Sequence, residues 1–363
     1  MHLGIRSEVE TREDRVAATP QSIGSLIEAG ATVSVETDAG LGSGISDESY
    51  IEAGASIVDS LAEAGPIDIL ATVGPIAEQD AGLLRNGSVV VGMLDPGSNA
   101  DILTDLANRG VTAVAMELVP RTTLAQSMDA LSSQATAAGY AAVLLGATSM
   151  PKFMPMLVTA AGTVPPARVL ILGVGVAGLQ AIATAKRLGA IVAAYDIRPE
   201  TKEQVESLGA KFIDAPTQQM DAGGYARAVD DETAAAQREL LAAAVAEADL
   251  VITTAQVPGR RAPVLIDAAM VKHMSEGSVI IDMAAASGGN VEGSAPDEIV
   301  TVDGVSIYGP TDLASRVAAD ASRMYARNIL EIVNRMIVDG SLSIDRSDAV
   351  VGPAIVGNDG SPS

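Results

Sequence analysis

The stretch Val169-Leu-Ile-Leu-Gly173-Val-Gly175-Val-Ala-Gly178, with Asp196 closing the next apolar segment, decides how this chain folds. Residues 169–172 are aliphatic and predict a buried strand, 176–188 predict a helix, and 191–195 predict a second strand. A lone GxGxxG pattern carries little weight. Here it follows a strand, opens a helix and is followed about 20 residues on by an acid, which together make the dinucleotide fingerprint. The run from Val169 to Ala185 is uncharged and close to the roughly 18 residues of a spanning helix. Its internal glycines and Gln180, and the bounding Arg168 and Lys186, favour strand, turn and buried helix instead.

Each residue of the fingerprint has a physical task. Gly173 allows a tight turn, Gly175 lets a pyrophosphate approach the backbone, and Gly178 lets the helix pack closely on the strand. The anion then rests on a helix N-terminus, where free N–H groups and the helix dipole favour negative charge. Asp196 accepts hydrogen bonds from a ribose and repels a 2′-phosphate, so NAD(H) is the expected cofactor even though Arg198 lies two residues on. Val174, Val176, Ile197 and Arg198 complete the expected cofactor-binding set in this segment.

The chain has 363 residues, enough for two domains at about 150 residues each. Hydrophobic residues make up 48% and aromatics only 2%, so the cores are packed from Ala, Val, Leu, Ile and Met. A formal charge of −23 repels nucleic acid phosphates and anionic lipid headgroups, which argues against both as direct partners. With no cysteine, disulfides, thiolate metal sites and thiol nucleophiles are excluded. The first ten residues carry Arg6, Glu8 and Glu10 and no apolar core of a signal peptide, so a cytoplasmic location is expected.

Strand-like and helix-like segments alternate through the first third: 3–5, 19–29, 31–36, 47–55, 67–72, 88–93, 100–109 and 112–115. Such alternation predicts a parallel sheet covered on both faces. Gly30, Gly40, Gly54 and Gly110 stand where helices should stop. A long Ala-rich helix is expected over 127–147, followed by a Pro/Gly-punctuated link over 150–166. The second series continues with 201–208, 250–253 and 278–282, with 221–231 as a surface loop, and a further helix over 312–337. The tail from Ser341 is polar and expected to be loosely held. The expected architecture is α/β, with two Rossmann-like domains of mainly parallel sheet and a cleft between them. Residues 1–130 with 312–363 would form the first domain and 131–311 the nucleotide-binding one.

Two further stretches, Met116-Glu-Leu-Val-Pro-Arg121-Thr-Thr-Leu-Ala-Gln126-Ser-Met-Asp129-Ala-Leu-Ser132-Ser133-Gln134 and Thr159-Ala-Ala-Gly-Thr-Val-Pro-Pro-Ala-Arg168, carry a resemblance. The chain resembles the soluble NAD(H)-binding alpha subunit (domain I) of proton-translocating NAD(P) transhydrogenase, from Ile5 to about Val338. The resemblance implies that Arg121, Gln126, Asp129 and Ser132 hold the nicotinamide ring, with Thr122, Thr123, Ser127 and Met128 in the same cofactor-binding loop. It further implies a mobile loop carrying Gly224 and Tyr225, with Gln237 and Gln256 lining the site. It implies a homodimer, NADP(H) as co-substrate on a partner subunit, and membrane-spanning partner subunits that hold this chain peripherally at the membrane. Read from the residues alone, the Arg121 cluster is equally open to helix capping and surface pairing.

Hydride passage between two nicotinamides releases no proton, so the site needs orientation rather than a general acid or base. That agrees with a chain whose two histidines, His2 and His273, stand far from the motif in sequence and are expected at the surface. The alternative is alanine dehydrogenase, a relative with the same two-domain plan and an equivalent of Arg15. Reducing an imine needs a substrate-binding cation and a proton donor. The segment expected to carry the lysine reads Ile69-Leu-Ala-Thr-Val-Gly74-Pro75, the histidine region reads Val90-Val-Gly-Met-Leu-Asp95, and the aspartate loop is Ala284-Ala-Ala-Ser-Gly-Gly289. A third reading, a nucleotide sensor without catalysis, explains Gly173 to Asp196 but not Arg121, Gln126 and Asp129. One fingerprint supplies one nucleotide site, so the second must come from another polypeptide.

Overall fold

The computed structural model describes residues 1–8, 12–214, 231–256, 260–338 and 340–357. The chain divides into two compact units, residues 1–137 with 314–363 and residues 138–313.

The first unit is built on β1 (His2–Ile5), β2 (Thr32–Glu36), β3 (Ser56–Val58), β4 (Ile67–Ala71), β5 (Leu84–Gly92) and β6 (Thr112–Ala115), arranged β3-β2-β1-β4-β5-β6. Every neighbouring pair is parallel. Period-two alternation sends Val89 and Val91 to one face and Val90 to the other, so both faces bury apolar side chains. One face packs on Ile23 and Leu26 of the helix Pro20–Glu28 and on Tyr325, Ile329 and Ile332 of the helix Ala318–Arg335. The other takes Leu103 and Leu106 of the helix Ala100–Asn108.

The second unit begins with an antiparallel hairpin, β7 (Leu157–Thr159) and β8 (Gly162–Val164), inside the segment expected to be a plain link. Its sheet comprises β9 (Arg168–Leu172), β10 (Ile191–Tyr195), β11 (Lys211–Phe212), β12 (Leu250–Thr253), β13 (Val279–Asp282), β14 (Ile299–Val302) and β15 (Val305–Tyr308). The order is β11-β10-β9-β12-β13-β15-β14, parallel except for the β14–β15 pair. The α/β, Rossmann-like reading with mainly parallel sheets is therefore correct, and the uncharged run from Val169 is a strand, a turn and a helix. No described helix is long and apolar enough to cross a membrane.

Four expectations need correction. The polar tail is not loose: Val350, Val351, Ala354, Ile355 and Val356 are buried, and Ile355 bridges to Val114. The long helix spans Ala130–Ser149, because Thr123–Met128 forms a separate 3-10 turn before it. Gly40 keeps a negative φ and precedes a 3-10 turn, whereas Gly30, Gly54 and Gly110 have the positive φ of helix-ending glycines. His273 is exposed, but His2 is half-buried, its ring bonded to the Pro66 carbonyl and the Ser34 hydroxyl.

Candidate nucleotide site

In the second unit the strand order reverses between β9 and β12, so the connections leaving their C-terminal ends run to opposite sides, the position where open α/β sheets bind ligands. The fingerprint lies there. Gly173 has φ +97°, and a Cβ on it would lie 2.6 Å from the Thr254 Oγ1. A Cβ on Gly178 would lie 2.0 Å from the Gly173 carbonyl oxygen, so helix and turn meet at a distance only glycine permits. The helix Val176–Arg187 starts after Gly175 with no side-chain cap. Its first N–H groups thus need another partner, and an anion satisfies them. Gly175 is exposed, and a Cβ built on it meets no atom within 4 Å.

Asp196 follows β10 and its side chain is 8% exposed. Its Oδ2 accepts from Val174 N at 2.7 Å, which ties the acid to the glycine turn. Arg198 supplies the other donors: its N–H and Nε to Oδ1 at 2.9 and 3.0 Å and its Nη2 to Oδ2 at 3.0 Å. Burial pushes the Asp196 carboxyl up, but the bonds from Arg198 and Val174 together outweigh it and hold the group below the usual carboxylate range. The acid that should meet a ribose is ionised and already held by a cation. Ile197 and Val176 are exposed apolar side chains beside it, whereas Val174 is buried.

The loops after β12 and β13 are joined beneath this turn. Thr254 Oγ1 donates to the Gly173 carbonyl at 2.9 Å. Asn290 accepts from Ala255 N and donates to the Ala255 and Pro263 carbonyls. Asp282, fully buried, accepts from Thr253 Oγ1 and from the N–H groups of Ala284, Asn290 and Val291. Gln256, exposed, donates to the Met283 carbonyl, and Gln237 is half-buried on the helix Asp231–Ala246. Gly224 and Tyr225 lie outside the described residues. Thr254, Asp282 and Asn290 were not singled out from the sequence. An aspartate closing β13 was the available signal, but its partners are backbone groups that no pattern displays.

In the first unit, Arg121, Thr122, Thr123, Gln126 and Ser127 are exposed on the turn that Ala125 and Met128 anchor from below. Asp129 caps the helix Ala130–Ser149: Oδ1 accepts from Ser132 N at 2.9 Å and Oδ2 from Ser132 Oγ at 2.6 Å. The structure thus joins Asp129 with Ser132. Among the described residues the side chains of Arg121 and Gln126 make no hydrogen bond, so both are open to a ligand.

Both halves of the chain match known domains. The alanine dehydrogenase/PNT N-terminal domain matches residues 4–138 and the alanine dehydrogenase/PNT C-terminal domain matches residues 142–362. The chain belongs to the alanine dehydrogenase/PNT family. Within that family it is 44% identical to the first of the polypeptides that make up NAD(P) transhydrogenase subunit alpha in Rickettsia prowazekii, over 96% of this chain and 92% of that protein. The crystal structure of transhydrogenase from Sinorhizobium meliloti superposes with a TM-score of 0.90 at 42% identity, covering 100% of both chains. An L-alanine dehydrogenase structure superposes at 0.78 with 30% identity, covering 93% of this chain and 90% of that one. The alanine dehydrogenase/PNT family is one of nicotinamide-dependent oxidoreductases, and this chain is a member on the transhydrogenase side of the comparison.

Proposed function

We propose that this chain is the NAD(H)-binding component of a proton-translocating transhydrogenase and passes hydride between NADH and NADP⁺ held by a partner subunit. The pyrophosphate is assigned to the N-terminus of the helix Val176–Arg187, the adenosine ribose to Asp196, and the nicotinamide to the turn carrying Arg121 and Gln126. The observation that carries the nucleotide assignment is the exposed, uncapped glycine turn tied to an ionised Asp196. NAD(H) would supply the hydride; the chain's own residues bind and orient it. Arg121 can donate to the carboxamide oxygen of the ring, and Gln126 can both donate and accept there, which fixes which ring face is presented. Gly224, Tyr225, Gln237 and Gln256 are assigned to the same site on the resemblance.

The alanine dehydrogenase reading is disfavoured at its substrate end. Where a lysine would stand, the N–H groups of Val73 and Gly74 are bonded by the Glu8 carboxylate at 2.7 and 3.1 Å. A carboxylate in that place repels an amino acid carboxylate. Phe153, Met156 and Val158 are 58%, 60% and 73% exposed at and beside the β7–β8 hairpin, an apolar group that suits a second copy of this chain and so supports a homodimer. We place the chain in the cytoplasm, held at the membrane by spanning partner subunits. Mixing it with NADH, NADP⁺ and a separate NADP-binding component tests the proposal. Transfer should need both proteins, and transfer by this chain alone, or NADH formation from L-alanine and NAD⁺, contradicts it.

A further inference from the structure

We propose that Asn328 is the positioning residue that fixes the Thr123–Met128 turn and so sets where Gln126 points. A 3-10 turn of this length has poor internal hydrogen-bond geometry, so its place must be set from outside. Two apolar anchors, Ala125 and Met128, hold it from below, but these do not fix rotation about its axis. Asn328 does. It sits on the helix Ala318–Arg335, is 6% exposed, and uses both ends of its amide: Nδ2 donates to the Ser127 carbonyl at 2.7 Å and Oδ1 accepts from Ser133 Oγ at 2.7 Å.

The latch continues along the same two helices. Gln134 Nε2 donates to the Ala321 carbonyl at 3.1 Å, and Gln134 Oε1 accepts from Arg15 Nη1 at 2.8 Å. The start of the helix Ala130–Ser149 and the end of the turn are thereby fastened to one rigid element, while Arg121, Thr122, Thr123 and Gln126 face outward. Only a primary amide offers a donor and an acceptor in one plane at this spacing. Aspartate keeps the acceptor and loses the donor to Ser127; leucine loses both. What the turn presents rests on the function proposed above; that Asn328 fixes the turn does not.

The test uses the full chain with Asn328→Leu, Asn328→Asp and Ser133→Ala, with Arg327→Ala on the exposed side of the same helix as control. Amide hydrogen exchange over residues 123–129 should accelerate about tenfold or more in the Asn328 variants, by local opening. With NADH and the NADP-binding component, hydride transfer should fall on the order of tenfold to a hundredfold while the NADH Kd moves less than about twofold. Ser133→Ala combined with Asn328→Leu should lower transfer no further than the stronger single variant, because the two residues act through one latch. Unaltered exchange, or equal losses in Kd and transfer, overturns the proposal. If the unmodified chain transfers no hydride with the partner, the functional reading falls, and the exchange result still decides the role of Asn328. Should Asn328→Leu fail to fold, Ser133→Ala removes one side of the latch with the smaller change and is read by the same two measurements.

Discussion

The two sheets share the order of their central strands, β3-β2-β1-β4 in one unit and β11-β10-β9-β12 in the other, yet their switch points are finished in opposite ways. After β1 the chain places Arg6 and Glu8, each with its side chain 1% exposed, and the Glu8 carboxylate accepts from Val73 and Gly74 N–H groups beyond β4. Arg6 bridges Glu8, Asp80 and the Pro75 carbonyl. The first switch point is thus sealed by the protein's own anion and cation. After β9 the chain places glycines, leaves a helix N-terminus uncapped, and sets Asp196 beside it. One topology therefore gives a structural plug in one unit and a receptive anion site in the other, and the difference lies in the few residues after the first strand of each sheet.

The largest expected effect breaks the plug. Arg6→Leu leaves the Glu8 and Asp80 carboxylates buried without their cation and should destabilise the chain by about 3–5 kcal/mol. Denaturant unfolding measures this. A loss near zero would mean that water or another donor reaches these acids and that the first switch point is open after all.

Next is Asp196→Ala, which should weaken NADH binding by about 1.5–3 kcal/mol through lost charge-assisted hydrogen bonds, with little effect on the first unit. It also frees Arg198, so NADPH should gain relative to NADH. Because Asp196 titrates below the usual carboxylate range, it stays ionised across neutral pH. NADH affinity should be flat from about pH 9 to pH 5 on this account and fall only as pH drops below about 4, the ordinary carboxylate value. A titration of affinity centred near neutrality would assign the effect to another group.

The smallest effect separates capping from binding in the Arg121 region. Asp129→Ala removes the N-cap of the helix Ala130–Ser149 and should cost about 1 kcal/mol of stability. If hydride transfer falls no more than that stability loss explains, Asp129 is a cap alone. A far larger loss would give it contact with the ring.

How much was legible in the sequence follows from the range of the forces involved. The glycine turn, β9, β10 and Asp196 were visible because turn geometry and apolar periodicity are local, and residues 191–195 coincide with β10. The packed tail was not, because Asp345, Arg346, Ser347 and Asp348 dominate its composition while a short apolar run, Val350 to Val356, does the packing. The β7–β8 hairpin hid behind prolines and glycines. The plug joins Arg6 to Asp80, and the latch joins Asn328 to Ser127 and Ser133. Side chains so distant along the chain meet through the fold, and no spacing rule shows them.

Gly175→Ala tests the central claim, that the second switch point is shaped for a nucleotide's phosphates, most directly. The new Cβ meets no protein atom within 4 Å, and Gly175 has φ −83°, which alanine adopts freely. Unfolding stability should therefore stay within about 1 kcal/mol. Calorimetry with NADH on the same protein should show affinity reduced by about tenfold or more, since the methyl group stands where the pyrophosphate must approach the backbone. Unchanged NADH affinity in a stably folded Gly175→Ala chain would contradict the account.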